Sequence, residues 1–157
     1  MLLCGCGGSS SSGSSSSAPA NSSSGGQTSP TSLSAGQFKA AIAPVLNQLG
    51  SASQATGAAL QQASSKTDAQ LAATFQQLGA KWKSALSKLE TLQPPPQFTA
   101  AYNRLKNQVS KVDTDLAAIV SAAQSHNAAS AKAAVTTLVN DIVSAKATST
   151  TLSNGSS

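Results

Sequence analysis

The sequence predicts an all-α protein, an antiparallel four-helix bundle that follows a disordered N-terminal tether rich in Ser and Gly. In four segments, apolar residues recur at alternating steps of three and four, which is the spacing of one face of a helix. No segment alternates apolar with polar residues, and no Asn-Gly or Asp-Gly pair joins two β-branched runs. The abundance of Ala, a strong helix former, also favours helices over strands.

The four apolar stripes predict helices over residues 35–63, 68–92, 97–124 and 128–148. A repeat of about 3.5 residues packs neighbouring helices at a shallow angle, and short connections make sequential helices antiparallel. The stripes are Phe38, Ile42, Val45, Leu49, Ala52, Thr56 and Ala59; Leu71, Phe75, Leu78, Trp82, Ala85, Leu89 and Leu92; Phe98, Tyr102, Leu105, Val109, Val112, Leu116, Ile119 and Ala123; and Ala128, Ala131, Val135, Leu138, Ile142 and Ala145.

Local signals support these boundaries. Capping boxes are expected at two helix starts, Ser34 with Gln37 and Thr67 with Gln70, and Asn127 is a good cap for the last helix. The run 94–96 of three prolines ends the second helix, because proline lacks an amide donor. Pro44 lies inside the first helix and is expected to kink it.

Composition divides the rest of the chain into a bundle and two flanking segments. Residues 7–33 carry no charge and few large apolar side chains, so we expect a disordered Ser/Gly-rich linker. The bundle is expected over 34–148, with a disordered tail over 149–157.

The N-terminal sequence Leu3-Cys4-Gly5-Cys6 resembles the lipobox of bacterial lipoproteins, and a Gly/Ser tether follows it directly. The resemblance implies that Cys6 carries a diacylglycerol and that a peptidase cleaves after Gly5. Residues 1–6 would then be the remnant of a signal whose basic and apolar parts lie upstream. The rest of the chain is similar to the small Ala-rich helical domains of actinobacterial envelope lipoproteins of unassigned role.

The chain has ten basic and five acidic residues, a net charge of +5. This charge can favour an anionic envelope polymer or an envelope protein as partner, but a solvated face that keeps the protein soluble is the simpler explanation. It is too diffuse for nucleic acid, which we do not expect as a partner. Two interpretations of Trp82 and Tyr102 are open: core packing with polar tips at the edge, or a partner-contact rim together with three cations, Lys81, Lys83 and Arg104.

Residue types that carry catalysis or bind metals are scarce. His126, the one histidine, falls at the turn before the last helix, where we expect a solvated side chain with no acidic partner nearby. A di-iron bundle needs several glutamates, whereas this chain has only Glu90. We therefore predict no catalytic residues, no metal site and no cofactor.

These observations predict a non-enzymatic lipoprotein on the outer face of the bacterial cell membrane, anchored there by its lipid and acting as a binding or structural module. One alternative is a carrier that holds a small apolar ligand between its helices, in a cavity near the small-residue half of the first helix. A second alternative, if Met1 is the true start, is a cytosolic helical protein that self-associates.

Overall fold

The computed structural model describes residues 33–155, which form four α-helices and two short 3-10 helices. The α-helices are α1 (Ala35–Gln61), α2 (Asp68–Glu90), α3 (Thr99–Gln124) and α4 (Ala128–Asn154). The 3-10 turns Ala63–Ser65 and Pro96–Phe98 precede α2 and α3. Residues 33–155 contain no strand. The predicted lipid anchor and the linker as far as residue 32 lie outside the described residues.

The helices pack as an antiparallel bundle, which confirms the predicted fold class. Contacts run between sequential helices and close the bundle between α1 and α4. The α1–α4 seam is the least extensive of these contacts. We call the end that holds the start of α1 the proximal end and the opposite end, where α1 and α3 finish, the distal end. The 27 residues of α1 span about 40 Å between the proximal and distal ends.

Capping interactions set the helix starts as predicted. In both capping boxes the hydroxyl of the cap residue accepts a hydrogen bond from the backbone amide of the glutamine three residues later. The side-chain oxygen of that glutamine accepts a hydrogen bond from the backbone amide of the cap residue. The Asn127 side chain accepts the Ser130 amide at 3.0 Å. Helix α1 continues through Pro44, whose ring is exposed. The carbonyl of Ala40, which proline leaves without its helical donor, belongs to an exposed residue.

Large side chains form the core at the proximal end. Phe38 stacks on Phe98 with ring centroids 5.3 Å apart, and meets the Tyr102 ring edge-on at 5.7 Å. Both arrangements suit the aromatic quadrupole. Lys39 places its amine 5.9 Å from the centroid of Phe98.

Helix α4 is longer than the sequence indicated, and the prediction of a disordered tail from residue 149 is wrong as far as residue 154. The last turns of α4 bury Thr148 and Leu152, and Leu152 is fully inaccessible to solvent. Polar Ser and Thr dominate this segment and hide its periodicity, but one leucine at the right step is enough to hold it on the core. Gly155, with φ 69°, ends α4 in the left-handed conformation that favours glycine, and it lies beside the end of the Lys39 side chain.

Candidate functional site

Of the two interpretations of Trp82 and Tyr102 that the sequence left open, burial favours core packing and removes both rings from an exposed partner-contact rim. Trp82 is 0% exposed and Tyr102 is 2% exposed. Even the polar tip of Trp82 is internal, because its indole N–H donates to Thr56 Oγ1 at 3.2 Å. Thr56 in turn donates to the carbonyl of Ala52 at 2.8 Å. The sequence placed Thr56 on an apolar stripe, and the indole explains why a hydroxyl belongs there.

Tyr102 is equally committed to the interior. Its hydroxyl donates to the carbonyl of Leu92 at 3.3 Å, which ties the start of α3 to the end of the α2 segment. Burial, with a smaller contribution from the charge of Glu90, raises the pKa of Tyr102 to about 12. The phenol is therefore neutral at physiological pH and holds the proximal corner together.

The three cations of the predicted partner-contact rim, Lys81, Lys83 and Arg104, are exposed. Without Trp82 and Tyr102 they form no aromatic and basic surface. The neighbouring Lys88 is engaged across the bundle, since its amine donates to Gln48 Oε1 at 2.7 Å. What remains of the prediction is a set of separate surface charges.

A cleft of about 210 Å³ opens instead at the distal end, where α1 finishes, α2 begins and α3 turns into α4. We call it the distal cleft. Its wall is mainly aliphatic and aromatic, and its rim carries a lysine, a histidine and an aspartate. The wall includes Leu60, Leu71, Phe75, Ile119 and Val135; the rim includes Asp68, His126 and Lys132.

The distal cleft explains why several predicted core positions are not fully buried. Leu71, Ala131 and Val135 lie on the apolar stripes, yet each is only half-buried, and each lines the cleft. From the end of α1 and the turn after it, Leu60 and Ala63 line the cleft. The periodicity showed which residues face inward, but it gave no sign that they line an opening.

The pairing of His126 with Asp68 crosses the mouth of the distal cleft. The His126 Nδ1 atom lies 2.6 Å from Asp68 Oδ2. The expectation that His126 has no acidic partner is therefore wrong. His126 adopts a left-handed conformation, with φ 54°, and its amide donates to the carbonyl of Ala123. This tight turn directs the ring towards the first residue of α2, which is 58 positions earlier in the chain. Sequence spacing gives no signal for such a pair.

A pair of carboxyl groups lies between α3 and α4. Asp115 faces Asp141, and one oxygen of Asp115 is buried with no hydrogen-bond partner. Burial first, and then the charge of Asp141, raises the pKa of Asp115 above its usual range. Burial and the nearby charge of Asp141 therefore both favour the protonated form of Asp115.

The described residues offer no arrangement of three or more His, Cys, Asp or Glu side chains that would hold a metal ion. Within residues 33–155, no helix combines the length and the apolar character needed to cross a membrane.

Comparison with known proteins gives no relative: no family model, no curated protein and no solved structure matches this chain.

Proposed function

We propose that this chain is a non-enzymatic, lipid-anchored protein of the bacterial cell envelope, and that its bundle binds a small apolar ligand in the distal cleft. The distal cleft is the observation that supports a binding role over a purely structural one. Ligand sites in proteins are concave, mostly apolar and equipped with a few polar groups at the edge. The distal cleft has all three properties.

The partial exposure of Leu71 and Val135 gives the binding its driving force. Each side chain keeps apolar surface in contact with water although it lies on the inward face of its helix. A ligand that covers this surface removes it from water, which is worth about 25 cal/mol for each Å². The cleft is largely formed before binding, so little rearrangement offsets the gain.

The test is a titration of the full chain with 1-octanol, followed through the backbone amide signals in NMR spectra. Amides of the residues that line the cleft should shift together and saturate. Ala131→Phe should abolish the shifts, because Ala131 lines the cleft and a phenyl ring would occupy it.

Ala133→Phe is the matched control, since Ala133 is exposed on the same helix and does not line the cleft. It should bind octanol as the unmodified protein does. Equal octanol binding by Ala131→Phe, in a variant whose circular dichroism and melting are unchanged, would place the binding elsewhere and refute the assignment.

The lipid anchor rests on the resemblance of residues 3–6 to a lipobox and on the tether that follows. Two acyl chains of a diacylglycerol give stable attachment, whereas one chain holds a protein weakly. The bundle begins at Ala35, at the end of α1 opposite the distal cleft.

Mass spectrometry of the protein purified from its native host tests the anchor directly. We expect an N-terminal Cys6 that carries diacylglycerol, and a protein that sediments with membranes. Cys6→Ser should lose both properties, while Cys4→Ser should keep them. An exported protein with an unmodified Cys6 would contradict the anchor but leave the ligand-binding proposal standing.

A further inference from the structure

We propose that the ligand of the distal cleft is a small amphiphile with one anionic group, whose apolar part lies in the cleft and whose anion is held by Lys132. This inference rests on the proposed binding function and specifies the chemistry of its ligand. It follows from the size of the cleft and from the balance of charge at its rim.

The size of the cleft limits the buried part of the ligand. A dry cavity of about 150 Å³ in another protein holds benzene, which has six heavy atoms. The distal cleft, at about 210 Å³, therefore accommodates roughly eight or nine heavy atoms by the same ratio. A medium-length alkyl chain or a single substituted ring fits, whereas a full phospholipid acyl chain does not.

The helix ends contribute little net charge at the distal cleft. Helices α2 and α4 begin at this end, and α1 and α3 finish at it. The partial positive charges of two helix starts therefore meet the partial negative charges of two helix ends. As a result, the side chains at the rim decide which ligand charge is favoured.

Among those side chains, Lys132 provides the uncommitted charge. The carboxylate of Asp68 is already paired with His126 at 2.6 Å. Lys132 lines the cleft, is exposed, and forms no ion pair with any acidic side chain of residues 33–155. An anionic head group can pair with the amine of Lys132. A cationic head group is repelled by that amine, and the carboxylate of Asp68 is already paired with His126. The excess of basic residues in the whole chain favours the same sign.

The experiment compares three ligands with the same eight-carbon chain: octanoate, 1-octanol and octylammonium. Each is titrated into the full chain at low salt, and dissociation constants are taken from the cleft amides in NMR spectra. We expect octanoate to bind about two- to fivefold more tightly than octanol, the range for an exposed ion pair, and octylammonium to bind more weakly than octanol. Raising the salt concentration should reduce the octanoate preference.

The decisive variant is Lys132→Gln, which should lose the preference for octanoate over octanol. Lys146→Gln removes the same charge on the same helix, but Lys146 does not line the distal cleft, so the preference should persist.

The outcomes separate the inference from the function on which it rests. Octanol binding equal to or tighter than octanoate binding, or a preference that survives Lys132→Gln, would overturn the anionic class and keep the apolar cleft. Loss of the preference in Lys146→Gln as well would assign it to overall charge and also overturn the role of Lys132. If none of the three ligands shifts the cleft amides, the binding function itself fails.

Discussion

The buried hydrogen bond between Trp82 and Thr56 predicts a specific coupling in stability. Thr56→Val keeps the shape of the side chain but removes the acceptor of the indole N–H. Both residues are 0% exposed, so water cannot replace the lost partner. The unsatisfied donor costs about 1–3 kcal/mol. The added methyl group returns part of that, on the order of 0.8 kcal/mol. We therefore expect a net loss of about 0.2–2.2 kcal/mol.

A double-mutant cycle with Trp82→Phe isolates the hydrogen bond. Phenylalanine has no N–H to satisfy, so Thr56→Val in that background should be neutral or stabilising. Thr56→Ser is the control: it keeps the hydroxyl, loses a methyl group, and should cost the same in both backgrounds.

Urea unfolding followed by circular dichroism measures all the variants on one scale, because Trp82 is the one tryptophan and its fluorescence is lost in half of them. If Thr56→Val costs the same with Trp82 present as in the Trp82→Phe background, the indole does not depend on Thr56. That result would refute the dependence inferred from burial and distance.

Three further changes test the bundle. Leu152→Ala should destabilise the protein by about 2–5 kcal/mol, because Leu152 is fully buried. The control Ser153→Ala should be neutral in the same urea assay. A neutral Leu152→Ala would instead support the disordered tail that the sequence predicted. Leu116→Ala should cost a similar amount, and a loss below about 1 kcal/mol would contradict its place in the core. The raised pKa of Asp115 means that the folded state binds a proton more tightly than the unfolded chain. Protonated Asp115 therefore adds to the free energy of unfolding. This contribution is fully present below the usual carboxyl pKa and is lost as pH rises through the raised pKa of the folded state. Asp115→Asn should accordingly increase stability at neutral pH and flatten this part of the pH profile, which unfolding at a series of pH values would measure.

The sequence by itself determined the fold class and most of the helix boundaries. Helical periodicity and capping are local properties: the spacing of Phe38, Ile42 and Val45, or the pairing of Thr67 with Gln70, depends on residues within one or two turns. Such patterns can be recognised without knowing what lies across the bundle. The four stripes thus identified nearly all of the core.

Only the tertiary structure decided where the core is closed and where it is open. Trp82 could have been a surface contact until Thr56, 26 residues away, was found to satisfy its N–H. Leu152 and Val135 both follow helical spacing, but the first is sealed against the core and the second lines a cleft. The physical reason is that burial depends on the volume that neighbouring helices bring to the same level, and that volume is set by residues far apart in the chain. The pairing of His126 with Asp68 at the rim of the cleft depends on the same long-range placement.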